Sequence, residues 1–124
     1  MRRRTGFTLI ELLVVLAIVA MLLSVSMPRY FQSVESSKQT LLVENLRQVR
    51  KLLDDFYGDT GRYPESLQEL VDKGYLKALP YDPVADSRQQ WIVESPRGTL
   101  RGGVYNIRSG ARGVDRFGVP FGEL

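Results

Sequence analysis

The sequence predicts an α+β fold, in which a long N-terminal helix packs on a small C-terminal head that contains a short antiparallel sheet. Three observations favour this fold. An apolar run covers residues 7–27, an amphipathic pattern of helical period follows it, and two short strand-like segments lie near the C-terminus. The chain has 124 residues, which allows one domain of ordinary size or less.

The composition excludes several classes of active site. The chain contains no Cys and no His, so it has no disulfide scaffold, thiol nucleophile, His general base or Cys- or His-ligated metal. Its net charge of +3 first suggests an acidic partner such as nucleic acid. However, Arg2, Arg3 and Arg4 carry the whole excess, and residues 7–124 are formally neutral. The sequence therefore favours neither an enzyme nor a nucleic-acid partner.

The apolar run over residues 7–27 predicts a single transmembrane helix. Its 21 residues would span about 31 Å at 1.5 Å per residue, which matches a hydrocarbon core of about 30 Å. Arginines on the N-terminal side should stay in the cytoplasm, so the rest of the chain should face outward. A cleaved secretory signal peptide is the alternative, although Ser24-Val25-Ser26 is a weak match to a small-x-small cleavage site.

Glu11 places a carboxylate inside this apolar run, at a cost of about 2.5–3.5 kcal/mol on insertion scales. Cleavage between Gly6 and Phe7 would create an α-ammonium four residues before Glu11. In an assembly, the Glu11 of one subunit could then pair with the amine of its neighbour. Alternatively, Glu11 snorkels or stays protonated near the interface, and the residues alone leave both interpretations open.

The N-terminal sequence Arg-Arg-Arg-Thr-Gly6-Phe7-Thr8-Leu9-Ile10-Glu11, followed by the apolar run and Pro28, resembles the prepilin leader of type IV pilins and type II secretion pseudopilins. The resemblance implies that residues 1–6 are a leader, which a membrane prepilin peptidase removes after Gly6. It also implies methylation of the Phe7 amine and pairing of Glu11 with that amine during assembly. Pro28 falls where many such helices kink.

Residues 28–57 continue the helix with an amphipathic pattern. From Leu42 to Phe56 the apolar residues are spaced 4, 3, 4 and 3 apart, and charged residues, Arg50 among them, fall on the predicted exposed face. We therefore expect one helix from Phe7 to about Tyr57, bent near Pro28. Two separate helices around Pro28 are the alternative.

The head is predicted to cover residues 58–124. Residues 58–62 form a turn cluster, Pro64 is expected to open a short helix that Gly74 stops, and strands are expected over residues 90–94 and 103–108. Seven head residues are expected to pack on the apolar stripe of the helix: Tyr63, Leu67, Leu70, Trp91, Ile92, Tyr105 and Ile107.

The C-terminal half, from Thr60-Gly-Arg-Tyr-Pro64 through Gly74-Tyr-Leu-Lys-Ala-Leu-Pro80-Tyr-Asp-Pro83 to the segment 105–110, resembles the G-type major pseudopilin of type II secretion. The resemblance implies a pilin-like fold and a structural, non-enzymatic subunit in the bacterial inner membrane, with its head in the periplasm. It implies a homo-oligomeric filament, with other pseudopilins, a prepilin peptidase and N-methyltransferase, a secretion ATPase and an inner-membrane platform as partners.

Two other functions remain as alternatives. The chain could be a minor type IV pilin of a pilus or DNA-uptake machine, since arginines are frequent in its C-terminal half. It could also be an enzyme anchored by one membrane span, but the missing His and Cys do not favour this.

Heads of this family commonly bind calcium through an acidic loop near the C-terminus. The corresponding residues 109–116 contain one carboxylate, Asp115, between Arg112 and Arg116. Calcium prefers six to eight oxygen ligands, so this loop is a poor calcium site. We expect an Asp–Arg pair there instead and no required cofactor.

Opposite charges are separated along the head. Residues 54–72 contain six acids and one base, whereas residues 88–124 contain six bases and three acids. One hypothesis is that these patches, with Arg108 and Arg112 in the basic one, meet between neighbouring heads and set register in a filament. The alternative is a mixture of solvated charges.

Overall fold

The computed structural model describes residues 6–124, and these form two compact units, one up to Glu35 and one from Ser36 to Leu124. Helix α1 covers Leu9–Thr60 and helix α2 covers Leu67–Asp72. Strands β1 (Trp91–Glu94) and β2 (Asn106–Ser109) form a two-stranded antiparallel sheet, and a 3-10 helix, η1, covers Phe121–Glu123. The predicted α+β fold class is confirmed.

In the first unit, α1 is mostly apolar up to Met27, with Glu11 as the one charged residue from Leu9 to that point. Its large side chains from Leu9 to Phe31 are exposed, and the helix is long and apolar enough to cross a membrane. The helix continues through Pro28, so the alternative of two separate helices is wrong. The kink at Pro28 stays a prediction. Residues 1–5, and with them the leader arginines, lie outside the described residues.

In the second unit, α1 presents the predicted apolar stripe to the head. All five residues of the 4-3-4-3 pattern are buried: Leu42, Leu46, Val49, Leu53 and Phe56. The core is completed by Leu70, Val104, Ile107 and Phe121. Three segments that are distant in sequence, around residues 70, 104–107 and 121, therefore converge on one face of α1.

Helix α2 begins later than predicted. Its N-cap is Ser66, whose hydroxyl accepts a hydrogen bond from the Glu69 N–H. Pro64 does not open the helix, because it lies in a buried connecting segment whose carbonyl accepts hydrogen bonds from Gly103 N and Val104 N, both at 2.9 Å. The predicted stop is confirmed, since Gly74 follows the C-cap with φ of 84°.

The two strands pair in antiparallel register, with Trp91 opposite Ser109 and Val93 opposite Ile107. Strand β2 begins at Asn106 rather than Gly103, since the N–H groups of residues 103 and 104 are directed at Pro64. Helix α1 likewise ends at Thr60, three residues beyond the predicted Tyr57.

Two of the seven predicted core residues of the head are wrong. Ile92 is 52% exposed and Tyr105 is 46% exposed. Because side chains alternate along a strand, Ile92 lies on the sheet face opposite to that of Trp91 and its buried partner Ser109. Tyr105 precedes β2, and its ring instead lies edge-on against Tyr63, with 5.2 Å between centroids.

Candidate functional site

The start of α1 holds Glu11 in a capping box. The backbone N–H of Glu11 donates to Thr8 Oγ1 at 3.1 Å, and the Thr8 N–H donates to Glu11 Oε2 at 3.4 Å. Each side chain thus satisfies a backbone donor that the first turn of a helix leaves unpaired. The carboxylate also lies at the positive end of the helix dipole. Thr8-Leu-Ile-Glu11 matches the S/T-x-x-E signature, a signal that the sequence analysis missed.

This arrangement turns the Glu11 carboxylate back toward the predicted cleavage point. Its Oε2 atom contacts the N–H of Thr8, the residue directly after Phe7. Phe7 and Gly6 precede the first turn of α1 and are exposed. Gly6, Phe7 and Glu11 are therefore brought together at one helix end, whereas Pro28 lies farther along the same helix.

Arg50 joins α1 to the C-terminal half of the head. Its Nε donates to Asn106 Oδ1 at 2.8 Å, and its Nη2 donates to the backbone oxygens of Ile107 and Leu124 at 3.1 and 2.6 Å. Sequence periodicity placed Arg50 on the exposed face, which is wrong: it is partly buried. A long side chain at the edge of an apolar stripe can reach polar groups beyond it.

The network continues from Arg50 across the sheet. Asn106 Nδ2 donates to Glu94 Oε2 at 3.2 Å, and Glu94 forms an ion pair with Arg108. Arg108 is thus held within its own head. This internal pair weakens its assignment to a basic patch that contacts neighbouring subunits.

Asp82 is a fully buried carboxylate in the segment that precedes β1. Its Oδ1 accepts hydrogen bonds from Val84 N and Ala85 N at 2.9 and 3.0 Å, and its Oδ2 accepts one from the Ser109 hydroxyl. Asp followed by Pro83 is typical of such a side-chain turn. The carboxylate fixes this loop to β2.

The C-terminal loop over residues 109–116 is organised around Asp115, its one carboxylate. Asp115 Oδ1 accepts hydrogen bonds from Phe117 N at 2.8 Å and Val119 N at 2.9 Å, so this oxygen stabilises its own turn. Among residues 6–124, no group of three or more acidic side chains could hold a metal ion. The expected Asp115–Arg pair is wrong for the described chain, since the carboxylate contacts backbone N–H groups instead.

A groove of about 330 Å³ separates this loop from α1. The loop is fixed to the helix by Arg116 N, which donates to Gln39 Oε1 at 3.0 Å. Beside the groove, the Phe117 ring is 78% exposed, and the Arg116 guanidinium lies 5.1 Å from its centroid.

Three tyrosines form a cluster near the end of α1. The rings of Tyr57 and Tyr63 stack with 4.7 Å between centroids, and Tyr105 packs edge-on against Tyr63. Burial raises the pKa of the Tyr63 phenol, and the nearby Tyr105 and the Asp54 carboxylate raise it further. Tyr57 and Tyr105 remain partly exposed, so the cluster presents aromatic surface beside a negative charge.

Arg62, which precedes α2, forms an ion pair with Glu69 in the first turn of that helix. The hydrogen bond from Arg62 lowers the pKa of the Glu69 carboxyl, and a second hydrogen bond, from Glu65 N at 2.7 Å, lowers it further. Glu69 stands at the N3 position after the N-cap Ser66, but its carboxylate accepts the Glu65 N–H rather than the Ser66 N–H that a capping box would use.

Known proteins match this chain both at its N-terminus and over most of its length. Residues 1–27 match the family model of the prokaryotic N-terminal methylation motif. The type II secretion system core protein G of Aeromonas hydrophila is 34% identical over 98 residues, which cover 66% of this chain and 68% of the relative. That of Vibrio cholerae is 31% identical over 115 residues, covering 81% and 78% of the two chains.

A third relative, from Klebsiella pneumoniae, carries the same name and is 32% identical over 99 residues, with 67% and 71% covered. No solved structure matches the chain significantly. The names of these relatives favour secretion over the alternative of a minor type IV pilin, and the apolar helix agrees with membrane anchoring. The chain therefore belongs to the type II secretion system core protein G family and is a pseudopilin.

Proposed function

We propose that the chain is cleaved after Gly6, methylated at the Phe7 amine and polymerised through its N-terminal helix into a periplasmic pseudopilus that drives protein export. The observation that carries the proposal is the position of Glu11, whose carboxylate is held at the first turn of an exposed apolar helix, where it accepts a hydrogen bond from the Thr8 N–H. In this proposal residues 1–6 are the leader, 7–27 the membrane segment, 28–57 the amphipathic continuation and 58–124 the periplasmic head.

Electrostatics favour pairing of Glu11 with an amine. In the described chain, Oε2 of Glu11 accepts the Thr8 N–H, and Oε1 has no hydrogen-bond partner among residues 6–124. A carboxylate in an apolar environment is costly unless it is paired. The α-ammonium that cleavage creates on Phe7 of a neighbouring subunit would provide the missing partner and favour one register between helices.

Assembly would also give the exposed helix a new environment. The side chains from Leu9 to Phe31 face outward on all sides, which suits lipid before assembly and packing against like helices afterwards. Transfer from lipid to a helical bundle gains packing contacts rather than hydrophobic burial. The Glu11–amine pair would then contribute specificity to an association that apolar contacts alone do not orient.

The remaining parts of the proposal follow from the leader and the family. Arg2, Arg3 and Arg4 would keep the N-terminus in the cytoplasm and leave the head in the periplasm. A prepilin peptidase with N-methyltransferase activity, a secretion ATPase, an inner-membrane platform and other pseudopilins would be the partners. The subunit would act as a structural element without catalysis of its own and without calcium at Asp115.

The mass of the mature chain tests this proposal. The full chain is expressed with its prepilin peptidase, and intact-mass spectrometry should find a chain that begins at N-methylated Phe7. Glu11→Ala should be processed normally but should yield few filaments. Glu11→Gln, which keeps the shape and removes the charge, should also assemble poorly if pairing with the amine matters. An intact Met1, or normal filaments from both variants, would contradict the proposal.

A further inference from the structure

We propose that each head carries two complementary faces, a knob formed by Arg116 and Phe117 and an acidic aromatic patch formed by Asp54, Tyr57 and Tyr105, and that the knob of one copy docks on the patch of the next. The inference rests on the proposed function in one respect, namely that the chain polymerises. It identifies which surfaces of the head would meet.

The knob is a fixed projection. Asp115 Oδ1 accepts the Phe117 N–H at 2.8 Å, and the Arg116 N–H donates to Gln39 Oε1 on α1 at 3.0 Å. The backbone on both sides of the peptide bond between Arg116 and Phe117 is thus held. The two side chains nevertheless face outward, with Phe117 78% exposed and the guanidinium stacked at 5.1 Å from its ring.

The acidic aromatic patch is held in place by packing inside the head. Tyr63 is buried beneath it and contacts both exposed rings, stacking on Tyr57 at 4.7 Å and meeting Tyr105 edge-on at 5.2 Å. Asp54 is exposed and lies close enough to influence Tyr63 electrostatically. Within the described part of the chain, Asp54 has no ion-pair partner.

The chemistry of the two faces is complementary. A guanidinium stacks on aromatic rings and pairs with carboxylates, and the patch offers both groups side by side. The Phe117 ring gives the tyrosines an aromatic partner of the kind that prefers offset or edge-on contact. A second copy of the chain supplies both the positive charge and the ring, so it is the partner that we assign to the patch.

The positions of the faces fit a repeating contact. The knob is fixed to α1 at Gln39, whereas Asp54 lies fifteen residues later on the same helix, or about 22 Å along its axis at 1.5 Å per residue. The two faces are different surfaces at different levels of one head. A contact between different surfaces is heterologous, and it propagates into a helical filament when the rotation between copies does not close a ring.

Cross-linking tests this contact directly, because the chain contains no cysteine. In the full-length membrane protein, the double variant Asp54→Cys/Arg116→Cys is treated with a short bis-maleimide. We expect a ladder of dimers, trimers and higher species. Coexpression of the two single variants should stop at dimers, since each chain then carries one thiol. The control Asp54→Cys/Lys77→Cys, which replaces an exposed lysine outside both faces, should give no ladder.

A charge swap separates loss of docking from loss of folding. Asp54→Arg and Arg116→Asp should each lower filament yield at least fivefold, and the double variant should recover most of it. Absence of the ladder, or equally impaired single and double variants, would overturn the inference. If wild-type filaments and N-methylated mature chain are then still observed, the proposed function stands and the docking surfaces are wrong. If the wild type forms neither, the proposed function itself has failed.

Discussion

The Ser109 hydroxyl donates a hydrogen bond of 2.5 Å to the fully buried carboxylate of Asp82. This contact joins the loop after Pro80 to strand β2. Asp82→Ala would leave that hydroxyl and the N–H groups of Val84 and Ala85 without their acceptor. Because hydrogen bonds to charged groups contribute about 1.5–3 kcal/mol each and unsatisfied buried groups add a penalty, we expect the free energy of unfolding to fall by about 3 kcal/mol.

Urea unfolding of the full chain in detergent checks this value, with the fluorescence of Trp91, the single tryptophan, as the signal. Ser109→Ala, which removes one of the three hydrogen bonds, should cost less than Asp82→Ala. Asp55→Ala is the matched control, since Asp55 is exposed, and it should change stability by less than about 0.5 kcal/mol. Equal effects of the three substitutions would contradict the assigned role of Asp82.

Arg50 should not tolerate replacement by lysine. Its guanidinium donates to three acceptors, on Asn106, Ile107 and Leu124, in two different directions. An ammonium at the end of a flexible stem cannot reproduce this fork. We expect Arg50→Lys to lower the free energy of unfolding by about 1–3 kcal/mol. The same substitution at Arg47, an exposed partner of Glu44, should have little effect, and thermal unfolding of both variants decides between these outcomes.

Glu69 should make the stability of the head depend on pH in the acidic range. Its pKa is lowered by the hydrogen bond from Arg62. The stabilisation is therefore complete above the ordinary glutamate pKa of about 4.3 and is lost as the pH falls through the lowered value. Glu69→Gln should melt below the wild type at pH 7, and the difference should shrink toward pH 3. A constant difference in Tm would exclude a charge effect, and Glu65→Gln provides an exposed control.

Gly110 should be intolerant of a methyl group. A Cβ at this position would lie 2.0 Å from the carbonyl oxygen of Gln90, and the backbone next to the sheet would have to move. We expect Gly110→Ala to cost about 1–3 kcal/mol, as overpacking generally does. Gly58→Ala is the opposite case, because the site is open and lies in α1. It should stabilise the chain by about 0.5–1 kcal/mol, as measured by urea unfolding.

Helical periodicity predicted the core side of α1 correctly from Leu42 to Phe56, because the pattern repeats over several turns and is a local property. It failed for Arg50, whose partners come from β2 and from Leu124, the residue that follows η1. Local spacing cannot show that an exposed helix position will meet a distant carbonyl. The capping residue Thr8 was a readable local signal, and it was missed.

The short strands were harder to predict. The strand-forming residues Trp91, Ile92 and Val93 identified β1. However, Trp91 and Ile92 were both expected to pack on the helix, although neighbouring residues of a strand point to opposite faces. The start of β2 was misplaced because Gly103 and Val104 donate to Pro64, about forty residues earlier. The role of Asp82 depends in the same way on Ser109. These errors share one cause, namely contacts between segments that no local pattern connects.

The connection between β1 and β2 offers a place to label the protein. Residues 97–100 are exposed. The backbone of residues 101–104 is hydrogen-bonded to Tyr63 and Pro64, whereas that of residues 95–100 makes no such loop hydrogen bond within the described chain. A side chain added at Gly98 would meet no atom within 4 Å. However, Gly98 has a φ of 70°, which residues with a side chain rarely adopt. The neighbouring Thr99 is therefore the better position. A small fluorophore or epitope at Thr99 would let single subunits be followed in living cells while the core stays intact.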